Sequence, residues 1–320
     1  MKHVFFDEKY DEGRVLMHDL EIHENCVVIY RDCVCKNKII NKLYQSLLHG
    51  RLKRRLGKPI KTLLWRLLFR LILGSDVQTI SFSMRWYYKE WLDIVRTIYP
   101  QAKFVLILRD TVQSNSILIK EFHIEEAKKF FNMILSYDSL FDVPTYGLTY
   151  APVYMSKFEE FANSIQTCKY DIAFIAAAKD RLNTIHKIYR NLVANGMRSY
   201  FYIFNAKETE RIANSTIVYG DVYLERFELL RKELESNCIL EVLKGDANSN
   251  TLRFLEAVFY NKKLYTNWKG VVNSPYYDPR YIKVFEKPED LDYGFIKERV
   301  NVDFKYKGEL SPTKLLDIIR

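Results

Sequence analysis

Short, unbroken apolar runs, each closed by a polar or small-residue loop and followed by a helical pattern, constrain this fold more than any other sequence feature. In the first half the runs are CVVIY (26–30), TISFS (79–83) and KFVLILRD (103–110). In the second they are YDIAFIA (170–176), SYFYIF (199–204), CILEVL (238–243) and KLYT (263–266). Between them stand stretches with apolar residues at helical spacing: RWYYKEWLDIVRTIYP (85–100), EEAKKFFNMI (125–134), RLNTIHKIYRNLVANG (181–196), FELLRKELES (227–236) and TLRFLEAVFY (251–260). A strand apolar on both faces must be covered on both faces, which alternating helices achieve only around a parallel sheet. Pro100 stops one helix, and Gly196 suits a helix C-cap. At 320 residues the chain exceeds what one core normally holds. The stretch SYDSLFDVPTYGLTYAPVY (136–154), without helical period, reads as strand and loop leading into a boundary. The expected class is α/β, with two Rossmann-like domains, residues 1–155 and 156–320, whose parallel sheets face a cleft. Ligands of such sheets bind beyond the carboxyl ends of the strands, where loops meet helix N-termini.

Charge is distributed unevenly. The formal net charge is +9, yet residues 36–75 carry eleven Lys or Arg and no Asp or Glu, so the remainder sums to 9 − 11 = −2. The segment RLKRRLGKPIKTLLWRLLFRLILG (51–74) joins a basic arm to a helix opening near Pro59. On that helix Arg66 and Arg70 form one stripe, and Ile60, Leu64, Leu68, Leu71 and Ile72 a broad apolar face. One reading is an interfacial helix on anionic lipid headgroups. Another is a helix packed on the sheet beside a solvated basic loop. A nucleic-acid patch ranks last, because no RNP-like, helix-turn-helix or zinc-finger pattern accompanies it, and no nucleic-acid partner is expected. Arg66 and Arg70 interrupt the best apolar window, so it should not span a bilayer. The start, MKHVFFDEKYDEGR, meets acidic residues at once and reads as no signal peptide. Five cysteines without a framework suggest reduced thiols, and Cys33-Val34-Cys35 is too tight for a CxxC site. The six histidines show no HExxH or HxH spacing, and no metal is expected.

The stretch CILEVLKGDANSNTLRFLEAVFYNKKLYTN (238–267) carries the chemistry. A buried strand ends near Leu243, a polar loop follows, and Ser249 or Asn250 can cap the next helix, leaving N–H groups free for a phosphate. Arg253 and Glu256 share the face of the cap, with Phe254, Leu255, Val258 and Phe259 opposite. Such a pair suits a nucleotide diphosphate, Arg on phosphate oxygens and Glu on sugar hydroxyls; it equally suits a surface i,i+3 ion pair. Lys179, in the loop after strand 170–176, reaches toward the same phosphates or is simply solvated. Glu241 lies inside a strand run and faces either the cleft or an edge. Asp110 closes the strand KFVLILRD, and Asp138 sits in the boundary block; each reads as a general base or a turn aspartate. Asp290-Leu291-Asp292 matches a metal-binding DxD, with helix capping the competing role.

The pattern TLRFLEA (251–257) then KKLYTN (262–267), with SYD (136–138), YGLTYAPVY (146–154) and the lead-in VYLERFELLRKELESNCILEV (222–242), resembles bacterial GT-B glycosyltransferases of capsule, exopolysaccharide and lipopolysaccharide assembly. The resemblance covers the C-terminal part of the chain; the first 100 residues match nothing recognisable, as suits a variable acceptor-binding domain. It implies a metal-independent, hexosyltransferase-like enzyme with a nucleotide-sugar donor and a glycan or lipid-linked glycan acceptor, needing no cofactor. Donor contacts would fall to Arg253, Glu256, Asn248, Ser249, Asn250, Thr251 and Lys179, and the base to Asp110 or Asp138. A cytoplasmic protein, peripheral on the inner face of the plasma membrane through residues 51–74, would follow. Two departures stand out. Asn248-Ser249-Asn250 replaces the family's Gln-x-Gly, and Asn248 stands eight residues before Glu256, where many retaining enzymes carry a second glutamate. Stereochemistry therefore stays open. A degenerate GT-B protein acting as a membrane-associated assembly partner, or a pyruvyl or phosphosugar transferase, remains an alternative.

Overall fold

The computed structural model describes residues 2–35, 37–48, 56–164, 168–220, 225–243 and 250–320. The chain forms two compact units, Met1–Ser156 with Leu310–Arg320, and Lys157–Glu309. The last eleven residues thus belong with the first unit, not with residues 156–309 as the sequence reading had them. The helix Leu315–Ile319 buries Leu315, Leu316 and Ile319 in a cluster with Phe5, Leu20, Val105 and Leu135. A five-residue helix has no stability of its own and goes where its apolar side is covered.

The first unit holds six parallel strands: β1 (Lys2–Asp7), β2 (Cys26–Tyr30), β3 (Val77–Ser83), β4 (Lys103–Ile107), β5 (Met133–Ser136) and β6 (Thr149–Tyr150), in the order β2-β1-β3-β4-β5-β6. The second holds β7 (Tyr170–Ala177), β8 (Ser199–Phe204), β9 (Val218–Gly220), β10 (Ser236–Glu241), β11 (Lys263–Thr266) and β12 (Ile282–Val284), in the order β12-β11-β10-β7-β8-β9. Every pairing is parallel. These are two Rossmann-like α/β units, as the apolar runs predict. The order reverses beside the first strand of each: between β1 and β3 in one unit, between β7 and β10 in the other. Such a reversal opens a crevice at the carboxyl ends, because the connections leave in opposite directions.

Three local differences from the sequence reading have physical causes. β1 carries only a short apolar core, Val4-Phe5-Phe6, yet those residues are almost wholly buried as the strand pairs with both β2 and β3. The stretch 125–134 is not all helix: the helix ends at Phe130, and Met133 opens β5. Asn132 causes the switch, its backbone donating to Phe104 O and its side chain accepting from Phe104 N, both at 2.8 Å. Residues 84–86 form a 3-10 turn before the helix Lys89–Ile98, held by Trp86 Nε1 donating to Asp7 O at 2.7 Å.

The helix Lys58–Ile72, with Pro59 in its first turn, divides the apolar face read from the sequence: Leu68 is buried and Leu64 and Ile72 pack against the core, whereas Ile60 and Leu71 stay exposed. Trp65, Leu68 and Phe69 are buried, with Trp65 4.7 Å from Trp91 and Phe69 5.8 Å from Phe6 between ring centroids. Ile60, Leu63, Leu67 and Leu71 stay exposed as a stripe on the other side. Most of the basic arm, residues 51–55, lies outside the described residues. Among the described residues no helix is long and apolar enough to cross a membrane.

Candidate functional site

The second unit's switch point is held open by arginines. β7 and β10 pair only as far as Ala173 and Ile239. Beyond that, the carbonyls that a continued ladder would use are taken by side chains: Arg253 donates to Ile175 O, and Arg181 donates to Ala177 O (3.4 Å) and to Val242 O. Two guanidiniums thus stitch the parting strands. Burial first, and then the charge of Arg253, pull the Arg181 guanidinium down to about 10. An anion arriving between two cations already crowded together relieves their repulsion.

The helix Leu252–Phe259 starts at this point, and its N-cap is Thr251 rather than Ser249 or Asn250. Glu241, the last residue of β10 and 1% exposed, is the reason. Its carboxylate accepts hydrogen bonds from the hydroxyls of Thr251 and Thr266. Thr251 Oγ1, having spent its proton there, accepts from Arg253 N at 3.1 Å. Glu241 therefore faces neither a cleft nor an edge; it ties a strand end to a helix start. Asn250 is half-buried beside the cap, while Asn248 and Ser249 lie outside the described residues. Lys179, exposed in the turn Lys179–Arg181 after β7, sits at φ +47°, a left-handed conformation costly for any residue with a Cβ. Strain of this kind persists where surroundings enforce it, often at ligand sites.

Arg253 and Glu256 do not pair with each other. Glu256 is 0% exposed and accepts from Arg226, whereas Arg253 Nε lies 3.4 Å from Glu233 Oε1. The expected polar outer face fails because Phe254 through Phe259 are all buried, so the helix has no solvent side there. Glu233, Glu256, Arg226 and Arg253 make a buried quartet of two carboxyls and two guanidiniums. Burial, and next the charge of Glu256, drive the Glu233 carboxyl well above its ordinary range. The sequence reading named only half of this cluster. Arg226 and Glu233, seven residues apart and so on one face of the helix Arg226–Leu234, were the available signal.

The two base candidates of the first unit separate. Asp138 spends its carboxylate on a turn, accepting from Leu140 N (3.1 Å) and Phe141 N (3.0 Å). Asp110 is exposed in the loop after β4, its backbone carbonyl accepting from Asn115 Nδ2 at 2.8 Å. Nearby, Asp142 is fully buried, accepting from Val112 N and Ser136 Oγ at 3.0 Å each. The first unit's own switch point holds another unforeseen pair: Asp7, closing β1 and 1% exposed, lies 2.6 Å from Arg109. Asp292 of the DxD caps the helix Tyr293–Lys297 by accepting from Phe295 N at 3.0 Å, and Asp290 accepts from Lys287 N at 2.8 Å. Both aspartates do turn work. Among the described residues no group of three or more His, Cys, Asp or Glu could hold a metal ion.

No protein-family model matches the chain, and no curated protein matches it in sequence. The solved structures to which the chain is similar include two enzymes. One is described as the glycotransferase of kitacinnamycin, at 7% identity over 93% of this chain and 89% of that one, with TM-score 0.37. The other is MurG of Acinetobacter baumannii, at 10% identity over 100% of this chain and 99% of that one, with TM-score 0.40. Both likenesses are distant, and the chemistry of the site stands on the residues described above.

Proposed function

We propose that this chain is a metal-independent glycosyltransferase whose nucleotide-sugar donor binds at the carboxyl ends of β7 and β10. One observation carries the reading: Arg181 and Arg253 fill the gap where those strands part, beside the N-terminus of the helix Leu252–Phe259. Cations and free helix N–H groups together neutralise a diphosphate leaving group without a metal. Lys179, Asn250 and Thr251 border the same point, and the resemblance of residues 251–257 and 262–267 to the donor region of GT-B enzymes supports the assignment. Asn248 and Ser249 belong to the proposed donor loop on sequence grounds. Glu256 reaches a ribose hydroxyl only by exchanging Arg226 for it. In the first unit, Asp110 is the better placed of the two base candidates, being exposed where Asp138 is committed to a turn.

The acceptor is proposed to be a glycan on a lipid carrier, used at the inner face of the plasma membrane in cell-surface polysaccharide synthesis. Supporting this, the exposed stripe Ile60, Leu63, Leu67 and Leu71 runs for about 16 Å along its helix. Lys58, Arg66 and Arg70 flank it within a stretch free of acids, the profile of a helix lying on anionic headgroups.

A second reading draws on a specific observation. Both residues matched to the donor pair are engaged internally, Glu256 by Arg226 and Arg253 by Ile175 O and Glu233. That is the pattern of a transferase fold kept as a non-catalytic membrane partner. Thermal stabilisation by a panel of nucleotides and nucleotide-sugars tests both readings. A transferase is stabilised by about 2.7 kcal/mol at a hundredfold excess over Kd, loses this in Lys179→Ala and Arg253→Ala, and turns the donor over. Stabilisation without turnover selects the second reading; none at all removes the donor site.

A further inference from the structure

The first unit contains a cavity of ≈350 Å³ that no part of the donor site uses. Its walls are aromatic: Trp65, Trp86, Tyr88 and Trp91 all face it. The indoles hold one another in place, Trp65 4.7 Å and Trp86 5.5 Å from Trp91 between ring centroids. Three of the protein's four tryptophans therefore surround one small space. Its position is that of a ligand site in an open parallel sheet. Trp86 and Tyr88 follow the carboxyl end of β3, Arg31 follows β2, and Lys61 and Trp65 lie in the first half of the helix Lys58–Ile72. The volume falls at the small end of ligand pockets, which run from about 300 to 1,000 Å³.

The rim distinguishes among ligands. Three cations (Arg31, Lys61, Lys89) and two carboxylates (Glu90, Glu121) line it, with Lys61 and Glu90 joined at 3.2 Å. A phosphate or a lipid headgroup would profit from the cations and be repelled by the carboxylates. A neutral polyol uses both, its hydroxyls donating to carboxylates and accepting from ammonium and guanidinium groups. Its C–H faces lie flat on aromatic rings, as the walls require. One more group lacks a partner: Trp91 is 6% exposed, and its buried Nε1 has no acceptor among the described residues. A ligand hydroxyl would supply the acceptor that this donor lacks.

We infer that this aromatic pocket binds a neutral saccharide, the terminal sugar of the glycan acceptor. The inference takes from the transferase reading only its need for an acceptor. A titration of the full chain with methyl glycosides and neutral oligosaccharides, read by tryptophan emission, tests it. Saturable change in emission is expected. Tyr88→Ala, at a position 51% exposed and so harmless to the fold, should weaken it roughly three- to tenfold. Trp91→Phe keeps a six-membered ring and removes the N–H together with the five-membered ring that carries it, and should weaken it by up to about tenfold. Saccharide binding unaffected by both Tyr88→Ala and Trp91→Phe overturns the assignment of this pocket. Nucleotide binding without any saccharide response overturns the pocket and leaves the transferase reading standing. Loss of both responses in folded protein removes both. A response to vesicles of anionic lipid alone assigns the pocket to lipid and refutes a saccharide site.

Discussion

Replacing Glu256 by alanine tests the buried quartet directly. The carboxylate is 0% exposed and holds the Arg226 guanidinium, whose side chain is only 12% exposed. Its removal leaves a cation with little water and one fewer counter-charge. Breaking a buried pair from one side costs about 3–5 kcal/mol. The surroundings place this case at the lower end. After burial, the charge of Glu256 is the next cause of the raised Glu233 carboxyl, so its loss brings that carboxyl back toward its ordinary range and strengthens its hold on the neighbouring guanidiniums. A cost of about 3 kcal/mol is a large share of the 5–15 kcal/mol by which a domain is usually stable. Urea unfolding at pH 7, followed by far-UV circular dichroism, measures it. Arg226→Met combined with Glu256→Ala should recover most of the loss, since no buried charge is then stranded. A loss below about 1 kcal/mol in the single variant, the range of surface pairs, would refute the reasoning. It would mean that Glu256 stands on an exposed face beside Arg253, as a helical wheel alone suggests.

Other consequences are as definite. Because the folded-state Glu233 carboxyl is raised, the native protein holds a proton that the unfolded chain releases near 4.5. Its contribution to stability is thus fully present below that pH and is lost as pH rises through the folded value; Glu233→Gln should show a shallower decline in a series of unfolding curves. Lys179→Gly removes a Cβ from a left-handed residue and should stabilise by about 1 kcal/mol while weakening nucleotide binding, opposite signs that a purely structural lysine would not give. Gly13→Ala would place a Cβ 2.6 Å from the ring of Tyr30 and 3.0 Å from Asp7 Oδ2; since Tyr30 is 2% exposed and cannot yield freely, a loss of about 1–3 kcal/mol in urea midpoint analysis is expected. Leu63→Glu with Leu67→Glu should abolish sedimentation with anionic vesicles and leave the thermal midpoint within a few degrees, as both side chains are more than half exposed.

How much was legible in the chain follows from where each signal resides. β4, β7, β8, β10 and β11 are visible because a strand buried on both faces must be apolar at every position, and that pattern needs no partner to be read. β1, with only Val4-Phe5-Phe6 between polar ends, is too short to announce itself and is recognised only when strands pair on both sides of it. The helix Lys58–Ile72 shows the same limit for faces. It is apolar nearly all round, so periodicity allows several choices of inner side, and only the indole of Trp91 and the ring of Phe6 select Trp65 and Phe69.

The candidate donor site divides likewise. A polar loop between a buried strand and a helix, with arginine in its first turn, was readable at residues 243–253. The partners of its charges were not. Arg226 meets Glu256 across thirty residues of chain, and Arg181 meets Val242 across sixty-one. The aromatic pocket likewise gathers Arg31, Trp65, Trp86 and Glu121 from four separate stretches of chain. Sequence alone determined the α/β class and the alternation of strands with helices, because hydrophobic periodicity is a local property of each segment. Which charges are buried, which helix faces remain wet and which aromatic rings enclose a cavity were decided by tertiary structure, because burial depends on what the rest of the chain brings alongside.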